Sequence, residues 1–123
     1  MLRRTHRYKY LDAVAMVSGF AGVPIEVLDR TGYSVLANWV ESVAALGGTI
    51  KLEASNNYDP QNTLMVANPA LATWTEITGS SVTVAGSGSY GWNVSDAYYA
   101  FVRVVFAATA GAGAATAWVC VKD

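Results

Sequence analysis

Tyr98-Tyr99-Ala100-Phe101-Val102-Arg103-Val104-Val105-Phe106-Ala107 is the stretch that decides the fold class. Its β-branched and aromatic side chains, with no glycine or proline among them, have the composition of a central β-strand. Alternation sends Tyr98, Ala100, Val102, Val104 and Phe106 to one face, and Tyr99, Phe101, Arg103 and Val105 to the other. Both sets are mostly apolar, so this strand is expected to be covered on both sides. Arg103 interrupts an apolar face and needs a partner if buried. Glu53, outward-facing on another predicted strand, is the candidate.

Working outward, residues 113–122 follow the glycine-containing Thr109–Gly113 turn and read as a hairpin partner. Residues 48–55 alternate cleanly, with Ile50, Leu52 and Ala54 inward and Thr49, Lys51, Glu53 and Ser55 outward. Shorter strands are expected at 23–28, 33–37, 74–77, 81–85 and 90–94. Trp39, Val40, Val43 and Leu46 have a spacing that predicts one or two helical turns within 36–46, ended by Gly47-Gly48. Residues 10–20 suit either a strand or a short helix. Two prolines and four asparagines within 56–72 predict a long loop. Some eight short strands predict an all-β fold, an antiparallel β-sandwich or jelly-roll-like domain over 21–123, preceded by an extended N-terminal arm over 1–20.

The chain has 123 residues, 53% of them hydrophobic and 14% charged. Ordinary domains carry roughly 25% charged residues. So sparse a charge implies surface buried against partners or sister subunits, or else a weakly polar skin of small residues. Net charge is −1, which argues against extensive nucleic-acid binding, yet Arg3, Arg4, Arg7 and Lys9 gather at the start around His6. A basic head on an acidic body suits docking to an acidic surface; a solvated terminus is the plainer alternative. Asp12 breaks the short apolar run after the basic start, so no cleaved signal is expected. No stretch approaches the ~18 apolar residues of a membrane span.

Catalytic chemistry finds little support. The single histidine, His6, sits in the basic head, away from any orienting carboxylate, and the nine carboxylates are scattered singly. One histidine and one cysteine do not make a nitrogen–sulfur zinc site. Cys120, in an alternating apolar strand, is expected to be a buried, inert thiol. The Gly86-Ser87-Gly88-Ser89 run lacks a phosphate-loop lysine. Asn56, Asn57 and Asp59 offer oxygens to calcium, but a turn uses the same residues. No catalytic residue, cofactor or metal is expected, and the chain is not expected to be an enzyme. Of the four tryptophans, Trp118 is expected in the core by alternation, and Trp74 at the start of a strand. Trp39 and Trp92 fill the core, anchor an interface or, with Tyr90, form a sugar-stacking platform.

Gly48-Thr49-Ile50-x-Leu52-Glu53-Ala54-Ser55-Asn56, then Trp74-Thr75-Glu76-Ile77, Tyr99-x-Phe101-Val102-Arg103-Val104, Gly111-x-Gly113 and a last strand ending Val121-Lys122-Asp123 form an ordered set. Over residues 47–123 this order resembles the small β-sandwich structural proteins of tailed bacteriophages. The resemblance implies a virion component: a capsid decoration or cement protein, a head-to-tail or tail protein, or a fibre domain. Its implied partners are further copies of itself and other virion proteins such as the major capsid protein. Attachment would fall to the first 46 residues, with Arg3, Arg4 and Arg7 pairing to carboxylates of a neighbour. Val14, Met16 and Phe20 would anchor the arm, and Trp39 and Trp92 would serve at the sandwich surface. Similar sandwiches also bind carbohydrate, so a glycan is the alternative partner.

Overall fold

The computed structural model describes residues 5–28, 30, 32–95 and 99–122. Its strands are β1 (Thr5–Ala15), β2 (Phe20–Ala21), β3 (Ile25–Glu26), β4 (Gly32–Ser55), β5 (Thr75–Glu76), β6 (Val82–Ala85), β7 (Gly88–Ser95) and β8 (Phe101–Lys122). A short helix α1 (Thr63–Ala67) and a 3-10 turn (Pro69–Leu71) lie between β4 and β5. Every strand pairing is antiparallel.

Two long strands organise the rest. β4 and β8 pair along their whole length, from Gly32↔Lys122 to Ser55↔Phe101, with register shifts confined to the middle, between Glu41 and Gly48. β1 borders the second half of β8, and β2 and β3 border its first half. On the far side β7 borders the first half of β4, while β5 and β6 border its second half. Each half of β4 and β8 can be counted separately, with β2–β3 and β5–β6 taken as single interrupted segments. The first sheet then runs 1-8-3-6 and the second 2-7-4-5, the strand order of a jelly roll.

The inner faces of the two sheets meet in one hydrophobic core. Tyr33, Val35, Ala37, Trp39, Trp92, Ala117, Val119 and Val121 come from the first sheet, and Ile50, Leu52, Val84, Val102, Val104 and Phe106 from the second. Burial of each large aliphatic or aromatic side chain contributes roughly 1.5–3 kcal/mol.

The all-β class and sandwich expected from sequence are present, with three local differences. Residues 36–46 are not helical: they lie within β4, where pairing to β8 through Val43, joined by β7 up to Trp39, overrides a weak helical spacing. The hairpin expected around Thr109–Gly113 does not form. β8 runs on through it, both parts laddered to β4 rather than to each other. From Thr5 onward, the expected arm over 1–20 is built into the sandwich instead. β1 is laddered to β8, and Met16 is fully buried in the core. Arg3 and Arg4 lie outside the described residues.

The corner where the sheet folds over is built by a bulge in β4. Leu46 turns into the core there, its N–H donating to Glu41 Oε2 (2.8 Å) and its carbonyl accepting from Gly86 N–H (2.8 Å). Bulges bend a strand in this way. The corner leaves no room for side chains on β8: a Cβ on Gly111, whose φ is +70°, would sit 2.6 Å from the Leu46 backbone. Gly48 is similarly crowded, a Cβ there falling 2.2 Å from the Ala107 carbonyl oxygen.

Gly111→Ala is therefore expected to cost at least about 2 kcal/mol in urea unfolding, combining a left-handed backbone term of ~1–2 kcal/mol with a forced shift at the corner. Gly79→Ala, at φ +82° but in open space, should cost only the backbone term. A pH effect follows from two tyrosines. Burial pushes the Tyr33 hydroxyl up to about 12, with Tyr99 adding to the rise, and burial also raises Tyr10. A raised pKa keeps the proton bound in the folded state, so stability present below pH ~10 declines as pH climbs toward 12. Tyr33→Phe should flatten part of that decline in pH-resolved melts.

Candidate partner-binding face

The outer face of the first sheet is assembled by register. Leu36 on β4 pairs with Trp118 on β8, which pairs in turn with Lys9 on β1. One step along, Ser34 pairs with Cys120 and Cys120 with Arg7. Leu36 and Val40 remain 50% and 60% exposed on this face. Lys9 Nζ sits 5.9 Å from the centroid of the Trp118 ring, and Arg7, Leu36 and Trp118 line a hollow of about 400 Å³. A second hollow of about 330 Å³ lies beside it, lined by Ser34, Asn93, Cys120 and Lys122 among others. The face thus combines an apolar centre with a cationic border. Asp12, 3.7 Å from Lys9, is a carboxylate beside that border.

The outer face of the second sheet is built differently, because the chain covers it with its own 56–74 segment. Arg103 donates from Nε (3.0 Å) and Nη2 (2.9 Å) to Glu53 Oε1, so the partner expected from sequence is the partner observed. The Arg103 guanidinium lies 4.3 Å from the Trp74 ring centroid, and Trp74 is pinned by its indole N–H donating to the Pro69 carbonyl (2.8 Å). Tyr58 packs edge-on against Phe101 at 4.9 Å. Lys51 bridges Glu53 and Glu76 at 3.9 and 3.3 Å. The asparagine-rich segment is a set of turns. Asn56 Oδ1 accepts from Ala100 N–H, Asn57 Oδ1 from Thr73 N–H and Asp59 Oδ1 from Gln61 N–H. Asn62 caps α1.

The residues expected to bind partners divide sharply. Arg7 is exposed on the outer face. Met16, Trp39 and Trp92 are buried in the core, and Val14 and Phe20 pack against it, so these five side chains hold their own sandwich together instead of reaching a neighbour. Trp92 is further fixed by donating from its indole N–H to the Ser80 carbonyl (2.8 Å). Of the expected sugar platform, only Tyr90 stays open, at 42% exposure. The assignment of Trp118 and Cys120 reverses as well. Both were expected inside, and both stand half-buried on the outer face. The helical spacing over 36–46 conceals the outward placement of Leu36 and Val40; the 33–37 alternation sets Leu36 with Ser34 on the outer side, and its continuation through 40 adds Val40.

No protein-family model matches the sequence, and no curated protein matches it. Among solved structures, the SPBc2 prophage-derived protein YomS matches over 100% of this chain and 96% of that one, with a TM-score of 0.57 and 15% sequence identity. At that identity the likeness is one of fold.

The division between face and core has a direct check. Leu36→Lys is expected to change unfolding free energy by no more than about 0.5 kcal/mol, as an exposed position. Trp92→Ala, emptying a buried site, should cost about 3–5 kcal/mol in the same titration.

Proposed function

We propose that this chain is a non-catalytic structural component of a bacteriophage particle, docking to neighbouring protein subunits through the outer face of its first sheet. The observation that carries the proposal is the contrast between the two outer faces. One is covered by the chain's own loop; the other leaves Leu36 and Val40 exposed and Trp118 half-exposed beside Arg7 and Lys9. An apolar centre with a polar border is the anatomy of a protein interface, and tryptophan and arginine are its usual anchors. The sparse charge of the sequence points the same way. The phage context is supported by the end-to-end fold likeness to a prophage-derived protein and by the pattern over residues 47–123.

Within that role we favour a decoration or cement protein seated on the capsid, with the major capsid protein as partner, over a tail or head-to-tail component. The cations at the border suit a subunit surface bearing carboxylates. Docking by a sheet face replaces the extended arm as the mode of attachment, since from Thr5 onward β1 is held in the sandwich.

Cys120, the sole cysteine, stands on the proposed face and reports on it. A maleimide probe should label the free chain and fail to label the chain in purified phage particles. Equal labelling in both, or absence of the chain from the particles, would refute the proposal.

A further inference from the structure

Open strand edges invite pairing with other chains, and proteins defend them with charge, irregularity or shortness. Most edges of this sandwich are defended. β1 carries Arg7, Lys9 and Asp12, its register slips twice between Lys9 and Val14, and Ala13 adopts a φ of 50°. β2, β3 and β5 are two residues each, and β6 is four. β7 is the exception. It keeps unbroken register with β4 from Gly32↔Ser95 to Trp39↔Gly88, and it contains neither a charged residue nor a proline. Among the described residues, no backbone hydrogen bond outside the strand ladders reaches 88–95. An open cleft of about 410 Å³, lined by residues 90–94 and by the turn at 77–80, runs along its side.

We propose that β7 is a self-pairing edge: two copies of this chain join antiparallel through β7 about a two-fold axis, merging two four-stranded sheets into one of eight. The occupant is a second copy because the strand is self-complementary. With Gly91 on the axis, Tyr90 stands opposite Trp92 of the second copy, and Ser89 stands opposite Asn93. Polar faces polar on the outer side of the pleat, while on the inner side Tyr90 lies across from the strand position of the core-buried Trp92. Gly91 places no side chain at the point of closest approach. Tyr90, 42% exposed and 5.3 Å from Trp92 in its own chain, is covered by the pairing. With no charge on β7, two copies meet without like-charge repulsion, whereas a charged foreign strand finds no counter-ion there. A two-fold contact of this kind closes on itself and leaves the outer face of each copy free. The proposal rests on strand geometry and not on the docking face.

The test uses the full chain, with light scattering coupled to size exclusion and concentration-dependent amide exchange. The expected result is a dimer whose formation protects amides within 88–95. Ser89→Lys with Asn93→Lys sets like charges directly opposite each other and should weaken association at least about tenfold while leaving the circular dichroism melt intact. Ser89→Glu with Asn93→Glu should do the same, and mixing the two variants should restore a one-to-one dimer. Should a variant fail to fold, wild-type exchange alone decides the matter. A chain that stays monomeric at the highest concentration reached overturns self-pairing, as does protection of 88–95 that appears only when another virion protein is added. A dimer indifferent to the β7 charges but lost in Leu36→Lys also overturns it, while leaving the docking face in place.

Discussion

End-to-end pairing of β4 with β8 is the constraint on which everything else in this molecule depends. Two strands of more than twenty residues cannot stay flat and bury a face in so small a chain, so both bend at one corner, where the register shifts, and the ladder resumes beyond it. The two sheets of the jelly roll are therefore two halves of one sheet folded over. Their inner faces are fixed relative to each other by register, because a slip of one residue would turn every core side chain to solvent. The bulge at Leu46 absorbs the extra length on the β4 side, and Glu41 and Gly86 satisfy the backbone groups it frees.

That geometry leaves two outer faces, and the chain treats them unequally. Over the second sheet it lays the 56–74 segment, held by Trp74 stacked on Arg103 and by Tyr58 against Phe101. Arg103 needs this cover: a guanidinium largely withdrawn from water is tolerated when its carboxylate partner and an aromatic plane replace the lost solvation. Among the described residues, no segment is laid over the first sheet. Its centre keeps aliphatic and indole surface open beside cations, and nothing in the chain's own core requires Leu36 or Val40 to be apolar.

The tryptophans show where local sequence misleads. Trp118 sits in a run of alternating apolar residues and so reads as core, whereas Trp39 and Trp92 lie near element ends, where the sequence leaves core, interface and sugar platform open. The fold puts Trp118 on the outer face and the other two in the core. In a run such as Ala117–Val121 both faces are apolar, and alternation separates two sets without naming the inner one. The choice falls to Val35 and Ala37 on β4, whose register with Val119 and Ala117 brings the small and branched side chains inward and leaves Trp118 out.

What the chain determines locally is what local chemistry can express. β-branched density at 101–107 and clean alternation at 48–55 specify strands, prolines and asparagines within 56–72 specify turns, and an arginine in an apolar strand demands a carboxylate that Glu53 provides. What only the tertiary structure decided depends on partners far along the sequence. The glycines near 47–48 and 111–113 permit either a reversal or a bend, and they bend because each strand's neighbour continues alongside. From Thr5 onward the chain's start becomes an edge strand because β8 offers it a ladder and the core offers Met16 a place. Which face of the first sheet is left bare is likewise settled by pairing across the whole chain, since a strand carries its two faces impartially until a second sheet closes over one of them.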